Sequence, residues 1–153
     1  MKGLRVVLAM ALGCGFLAAQ TSATQEQKNQ ELVMNWWREV VTFGHVELAP
    51  KYMADDYVEH SATKQSGREG FLKYVSRNPA KPIQSKLPAP PAESFAKGDY
   101  VVMAWEHSDK DPKTSTPYKY FTYDIVRVKN GKIQEHWDNS RRGDPDAGRA
   151  HPG

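Results

Sequence analysis

Two strand-like runs joined by Asn130-Gly131 constrain this chain more than any other stretch, because they fix where it reverses direction. The segment reads YFTYDIVRVKNGKIQEHWD from Tyr120 to Asp138. Its flanks are rich in β-branched and aromatic residues, and the two central residues of a type I′ turn need positive φ, which Asn and Gly tolerate. The turn sets Lys129 opposite Lys132. A regular continuation then pairs Val128 with Ile133, Arg127 with Gln134, Ile125 with His136 and Tyr123 with Asp138. Opposed residues share a face, so Tyr123, Ile125, His136 and Asp138 are expected together. Asp124 falls on the other face and is the reserve carboxylate, since a slip of one residue would reverse the faces. Two ionisable groups among aromatic and aliphatic neighbours make a candidate acid/base site.

The start of the chain reads as an export signal. Lys2 and Arg5 precede a mostly apolar run from Val6 to Ala19, and Thr21-Ser22-Ala23 supplies small residues for cleavage after Ala23. The run is too short and too glycine-punctuated for a good membrane span. Cys14 after Leu12-Gly13 hints at a lipoprotein site, but Phe16, Leu17, Ala18 and Ala19 follow where a polar tether is expected. Loss of Lys2 and Arg5 brings the formal net charge of +3 close to neutral. Neither nucleic acid nor a stable membrane association of the cleaved chain is expected on that balance. The single cysteine lies within the signal, so the mature protein relies on an ordinary core rather than disulfides. A length of ~130 residues suffices for one domain.

Within that domain, Leu32, Val33, Trp36, Trp37, Val40 and Val41 recur at helical spacing and predict an amphipathic helix from Gln27 to Val41. A short second helix is expected over His45–Met53. Ala54–His60 reads as an extended segment or turn, and Ser66-Gly67-Arg68-Glu69 as a capping box opening a third helix through Val75. The proline-rich stretch from Asn78 to Pro91 excludes a central strand. A weak strand at Glu93–Ala96 and a strong one at Tyr100–His107 follow. After Asp138 the chain loses its apolar residues, so 140–153 is expected to be a disordered tail. Helices first and antiparallel strands afterwards argue an α+β domain over 27–139.

The order of DDYVEH, GREGFL, GDYVVMAWEH and DIVRVKNGKIQEHWD resembles the SnoaL-like polyketide cyclases, from about Gln30 to Asp138. That group shares a cone-shaped fold with ketosteroid isomerase, scytalone dehydratase and nuclear transport factor 2. The resemblance implies a roll of N-terminal helices on a curved antiparallel sheet with an internal cavity. It further implies a cofactor-free aldol cyclase or isomerase acting on a small hydrophobic carbonyl compound, with Asp138 as general acid/base and His60 lining the same cavity. Fold alone does not fix an activity, so a non-catalytic module that holds a small ligand, or dimerises through the exposed sheet face, is the alternative. Two positions depart from the group's pattern. His60-Ser61-Ala62 stands where His-Asn-Pro is common, and Asn139-Ser140 follows Trp137-Asp138 where an apolar residue is common.

Among the remaining candidates, His136 is a proton donor or a hydrogen-bonded interior histidine. Tyr57, Tyr74, Tyr120 and Tyr123 could offer a phenol to an oxyanion, and most such tyrosines merely pack. Trp36, Trp37, Trp105 and Trp137 read as core or cavity wall, and with His136 and Tyr123 the expected substrate contacts include Trp36 and Trp105. His60, His107 and His136 with Asp55 and Asp56 lack the regular spacing of a zinc site, so no metal is expected. A homodimer is.

Overall fold

The computed structural model describes residues 13–141, with side chains from residue 24. The charged start of the export signal and the tail beyond residue 141 lie outside the described residues.

The first helix, α1 (Gly13–Trp36), begins well before the expected Gln27 and continues through the predicted cleavage point. It passes into a wider π-helical turn over Trp37–Thr42, where the Phe43 N–H donates to the Arg38 carbonyl at 3.0 Å. Val33, Trp36, Trp37 and Val40 are buried at the predicted helical spacing. A 3-10 turn at Val46–Leu48 leads to α2 (Ala49–Tyr52). Pro50 sits in its first turn, where a missing N–H breaks no helical bond. The segment at Ala54–His60 is more ordered than the sequence suggested: Met53–Glu59 forms strand β1. The helix α3 (Arg68–Val75) starts one residue later than a Ser66 cap implies. Gly67 is its N-cap, at φ 86°, with no side-chain cap bond.

Four further strands follow: β2 (Glu93–Lys97), β3 (Tyr100–Lys110), β4 (Pro117–Lys129) and β5 (Lys132–Asp138). The sheet order is β1-β5-β4-β3-β2. β2 to β5 are antiparallel as predicted, whereas β1 pairs with β5 in parallel, which makes the sheet mixed. A parallel neighbour needs a long crossover, and here most of the domain lies between the two strands. No helix among the described residues is long and apolar enough to cross a membrane.

The turn itself is as the sequence requires, with Asn130 at φ 52° and Gly131 at φ 70°. The pairing beyond it is not. Lys129 opposes Lys132 and Val128 opposes Ile133, but Arg127 then opposes Glu135, with Gln134 as an extra residue in β5. This β-bulge reverses the alternation. Val126 now faces His136, Ile125 faces Trp137 and Asp124 faces Asp138. Ile133 and His136, three residues apart, therefore both point inward and are buried, which a regular strand forbids. The Gln134 side chain donates to the Asp56 carbonyl at 3.2 Å in the irregular part of β1. The bulge thus spends its extra residue on the neighbouring strand.

The core lies between α1, α3 and the inner sheet face, and Trp36, Phe71, Met53, Met103 and Ile133 are its largest fully buried side chains. At Gly70 the segment before α3 comes so near that an added Cβ would stand 2.4 Å from the Gln65 carbonyl oxygen. Gly70→Ala must push that segment away, and overpacking of this kind costs about 1–3 kcal/mol. Urea denaturation of the Gly70→Ala protein is expected to show that loss.

Candidate functional site

Because of the bulge, Asp124, His136 and Asp138 share the inner sheet face with Glu59, which β1 sets beside His136. His136 is 1% exposed, and both ring nitrogens are taken. Its Nδ1–H donates to Glu59 Oε1 and Oε2 at 3.1 Å each, and its Nε2–H donates to Asp124 Oδ1 at 2.7 Å. The chain of bonds extends at both ends. Tyr57 OH donates to Glu59 Oε2 at 2.7 Å, the Ser61 N–H donates to Glu59 Oε1 at 3.1 Å, and Trp105 Nε1–H donates to Asp124 Oδ2 at 2.7 Å. Trp36, Trp37 and Phe71 surround the imidazole edge-on, with ring centroids 6.0, 6.4 and 6.1 Å away. Trp37 stacks on Trp105 at 4.7 Å.

Burial alone would lower the His136 pKa, since desolvation disfavours the charged ring. The hydrogen bonds and charges of Asp124 and Glu59 outweigh it and raise the value to about 9. His136 is therefore an imidazolium at neutral pH, held between two carboxylates under a lid of tryptophans. The same surroundings, burial first and then Glu59, push the Tyr57 phenol well above its ordinary value.

Asp138 closes the strand in a different setting. Its Oδ2 accepts from Lys64 Nζ, and its Oδ1 accepts from the Ser140 N–H at 3.0 Å and from the Ser140 hydroxyl. Ser61 Oγ, Thr63 Oγ1 and Ser140 Oγ form a triangle of hydroxyls with sides of 3.0 to 3.1 Å. Lys64 also lies over the Tyr74 ring, 5.1 Å from its centroid. Burial pushes the Asp138 carboxyl up, but the Lys64 ammonium and the serine hydroxyls hold it well below the usual carboxylate range. The Lys64 and Asp138 side chains retain 10% and 8% exposure, and Ser61, Thr63, Tyr74 and Ser140 are half-buried. The ground over His136 is filled by Trp36, Trp37 and Phe71.

Several sequence expectations change place. Tyr123 stands on the outer face, 47% exposed, because the bulge turns it away from Asp138; it is no neighbour of the site. Asp124 moves inward for the same reason. His60 also lies outside, with its ring stacked on Trp137 at 4.5 Å and Nε2 2.9 Å from Glu135 Oε2. On β1 it is Glu59, one residue earlier, that faces inward. Trp36 and Trp105 are on the inner side as expected. Trp36 packs there, and its buried Nε1–H finds no acceptor among the described residues. The histidines and aspartates weighed as a metal cluster are dispersed, with His107 Nε2 bonded to Thr122 Oγ1 at 2.8 Å. Among the described residues no group of three or more such side chains could hold a metal ion.

Sequence reasoning missed Glu59 and Lys64. Tyr57 and Glu59 alternate on β1, so an assigned strand would have revealed Glu59. Lys64 sits in a loop 74 residues from Asp138 and carried no signal. A separate groove of about 350 Å³, which includes none of these residues, runs along Lys28, Leu32, Arg38, Glu39, Lys51 and Tyr52. Its Glu39 is already engaged by Arg38, Lys51 and Tyr52, at 2.9, 3.2 and 2.5 Å.

A histidine whose pKa is raised by folding adds stability that is complete below its unfolded value near 6.5 and lost as pH climbs through about 9. The contribution is of order 3 kcal/mol. Urea midpoints of the wild-type protein are expected to fall between pH 6 and pH 9.5, and the His136→Gln protein is expected to lose that slope.

Comparison with known proteins gives the following. A profile of the SnoaL-like domain matches residues 33–136. No curated protein matches the chain. A candidate polyketide cyclase from Acidithiobacillus ferrooxidans superposes with a TM-score of 0.51 at 22% identity, over 72% of this chain and 86% of that one. IdmH of Streptomyces antibioticus, also a candidate polyketide cyclase, gives 0.50 and 22% over 74% and 92%. A protein of ketosteroid isomerase-like fold from Catenulispora acidiphila, solved in complex with trimethylamine, gives 0.51 and 15% over 80% and 94%. At these identities the structures show the shared fold, helices on a curved, unclosed mixed sheet.

Proposed function

The chain belongs to the SnoaL-like domain family, and on that premise we propose that it is a cofactor-free aldol cyclase or isomerase. Its substrate is a small hydrophobic carbonyl compound, and Asp138 moves the proton next to the carbonyl. The observation that carries the reading is the contrast among the inner-face carboxylates. Glu59 and Asp124 are enclosed and spoken for by His136, Tyr57 and Trp105, whereas Asp138 ends the strand with 8% of its side chain exposed and has its partners, Lys64 and Ser140, in the flanking loop and strand end. A proton-transfer group has to be reachable by the proton it moves. The structural relative solved with trimethylamine supports a small ligand for this fold.

Deuterium uptake at the α-carbon of hydrophobic ketones such as α-tetralone, followed by mass spectrometry in heavy water, tests the reading without knowledge of the natural substrate. Asp138→Asn keeps the volume, removes the base and is expected to lower the exchange rate 10²–10⁴-fold. Equal rates for the two proteins would remove Asp138 from the mechanism. The alternative, a non-catalytic ligand-binding module, draws on the pairing of Asp138 with Lys64. It predicts ketone binding with no exchange above buffer.

Two further proposals concern where and how the domain works. We propose export, with cleavage after Ala23. Such a cut leaves Thr24–Trp36 of α1 in place, including Glu26 and Asn29, which bond the backbone of Gly98, and Gln30, which bonds Ser94. Amino-terminal sequencing of secreted or periplasmic protein is expected to begin at Thr24, and a mature chain starting at Met1 in the cytosol contradicts it.

We also propose a homodimer through the outer sheet face. Phe95, Val102, Ile125 and Trp137 align across four strands there, with Phe95 56% exposed. The ion pairs Lys119–Glu106 and Arg127–Glu135 flank that row, so a second copy can meet it with both signs of charge. Light scattering is expected to give twice the chain mass, and Phe95→Arg with Ile125→Arg to give a monomer.

A further inference from the structure

Lys64 is carried by a loop of small polar residues, yet its ammonium is turned inward onto Asp138. Gly70 makes this possible: with no Cβ on α3, the Gln65 backbone lies against the helix, and the preceding residue is aimed at the strand end. Nothing in the chemistry of Asp138 as a base requires a cation there. The pair works against it, because a carboxylate neutralised by an ammonium is a poor proton acceptor.

We propose that Lys64 is the oxyanion-binding residue of this site and a latch operated by the substrate. In the empty site the ammonium is the partner of Asp138; with substrate bound it is the partner of the carbonyl oxygen that becomes anionic. This rests on the reading of Asp138 as the acid/base. In the step, the C–H bond next to the carbonyl breaks and its electron pair forms the C=C bond of the enolate. The carbonyl π pair moves onto oxygen, and the proton goes to Asp138 Oδ2. A carboxylate and an ammonium thereby become a neutral carboxylic acid and an enolate paired with the same ammonium. The step creates no new charge: the negative charge passes from Asp138 to the oxygen beside the ammonium, in a half-buried site where an isolated charge is most costly.

The groups around the pair suit the exchange. From β1, β4 and β5 the site is faced by Glu59 and Tyr57, by Asp124, and by His136, and from α3 by Tyr74. Burial works against the charge on Lys64, but the attraction of Asp138, Glu59 and Asp124 prevails and keeps it an ammonium. The Tyr74 ring face holds that charge beside the strand end when Asp138 is released. Ser140 remains to bond Asp138 Oδ1 after the latch opens, so the carboxyl stays in position. The substrate class is narrowed accordingly to carbonyl compounds whose oxygen takes a full negative charge during the reaction.

The test uses 2-naphthol, whose oxygen ionises like an enolate and whose anion emits at a different wavelength from the neutral form. Carbon NMR of the Asp138 carboxyl and nitrogen NMR of the Lys64 ammonium are followed in the wild-type protein at neutral pH. The expected result is naphtholate emission, a shift of the Asp138 signal to that of a protonated carboxyl, and a perturbed Lys64 signal. Lys64→Met is expected to bind the naphtholate at least tenfold more weakly and to slow α-tetralone exchange about 10²–10³-fold, with Lys64→Arg recovering part of both. A purely restraining ion pair gives the opposite sign, because Lys64→Met then frees a stronger base and exchange accelerates. Faster exchange in Lys64→Met, or Asp138 and Lys64 signals that 2-naphthol leaves unmoved, overturns the proposal while the Asp138 reading stands. Absence of exchange by the wild-type protein with the naphthol shifts intact leaves the latch standing and removes the catalytic reading instead.

Discussion

An imidazolium with almost no exposed surface survives at the centre of this sheet because Glu59 and Asp124 each take one of its ring N–H groups. Remove either carboxylate and a charge is left buried and half-solvated, a loss of about 3–5 kcal/mol for comparable pairs. The arrangement places requirements on everything near it. β1 must lie against β5 so that Glu59 meets His136, β4 must present Asp124 inward, and Tyr57 and Trp105 must supply the donors that complete the two carboxylates. The tryptophans of the first helix then exclude water from the whole set. Asp138, one alternation further along the same strand, inherits its orientation from this buried chain.

The sequence made the helix face, the hairpin turn and the antiparallel run of strands readable, since each depends on residues close to one another. Asn130 and Gly131 adopt the two positive φ values their identities suggest. Registry beyond Ile133 was not readable. The extra residue, Gln134, is polar and unremarkable in a strand, and the reason for its bulge lies across the sheet at the Asp56 carbonyl. A shift of one residue was enough to bring Asp124 in and send Tyr123 out. The choice of Asp138 and His136 as a pair was unaffected, because both lie on β5 beyond the bulge and alternate with each other.

The two places where the chain departs from its family's pattern are in contact. Ser61 and Ser140, 79 residues apart, are joined at 3.0 Å, and both hydroxyls border Asp138. Lys64 belongs to the same rim and was invisible for a simpler reason. A lysine in a polar loop is ordinarily a solvated charge, and only the approach of the loop to Gly70 makes it otherwise.

The parallel pairing of β1 with β5 has a consequence for how the molecule comes into being. Glu59 and His136 are 77 positions apart, so the contact that neutralises the core closes a loop spanning most of the domain, and long-range parallel pairings are the slow ones to form. Until the last strand is synthesised, the tryptophans of α1 and the carboxylates of β1 and β4 have no structure in which to be buried. A chain halted or cut before residue 136 lacks the buried cation between Glu59 and Asp124. Completion of the fold therefore waits on the final few residues of the domain, and the order of events is set by topology before any rate is considered.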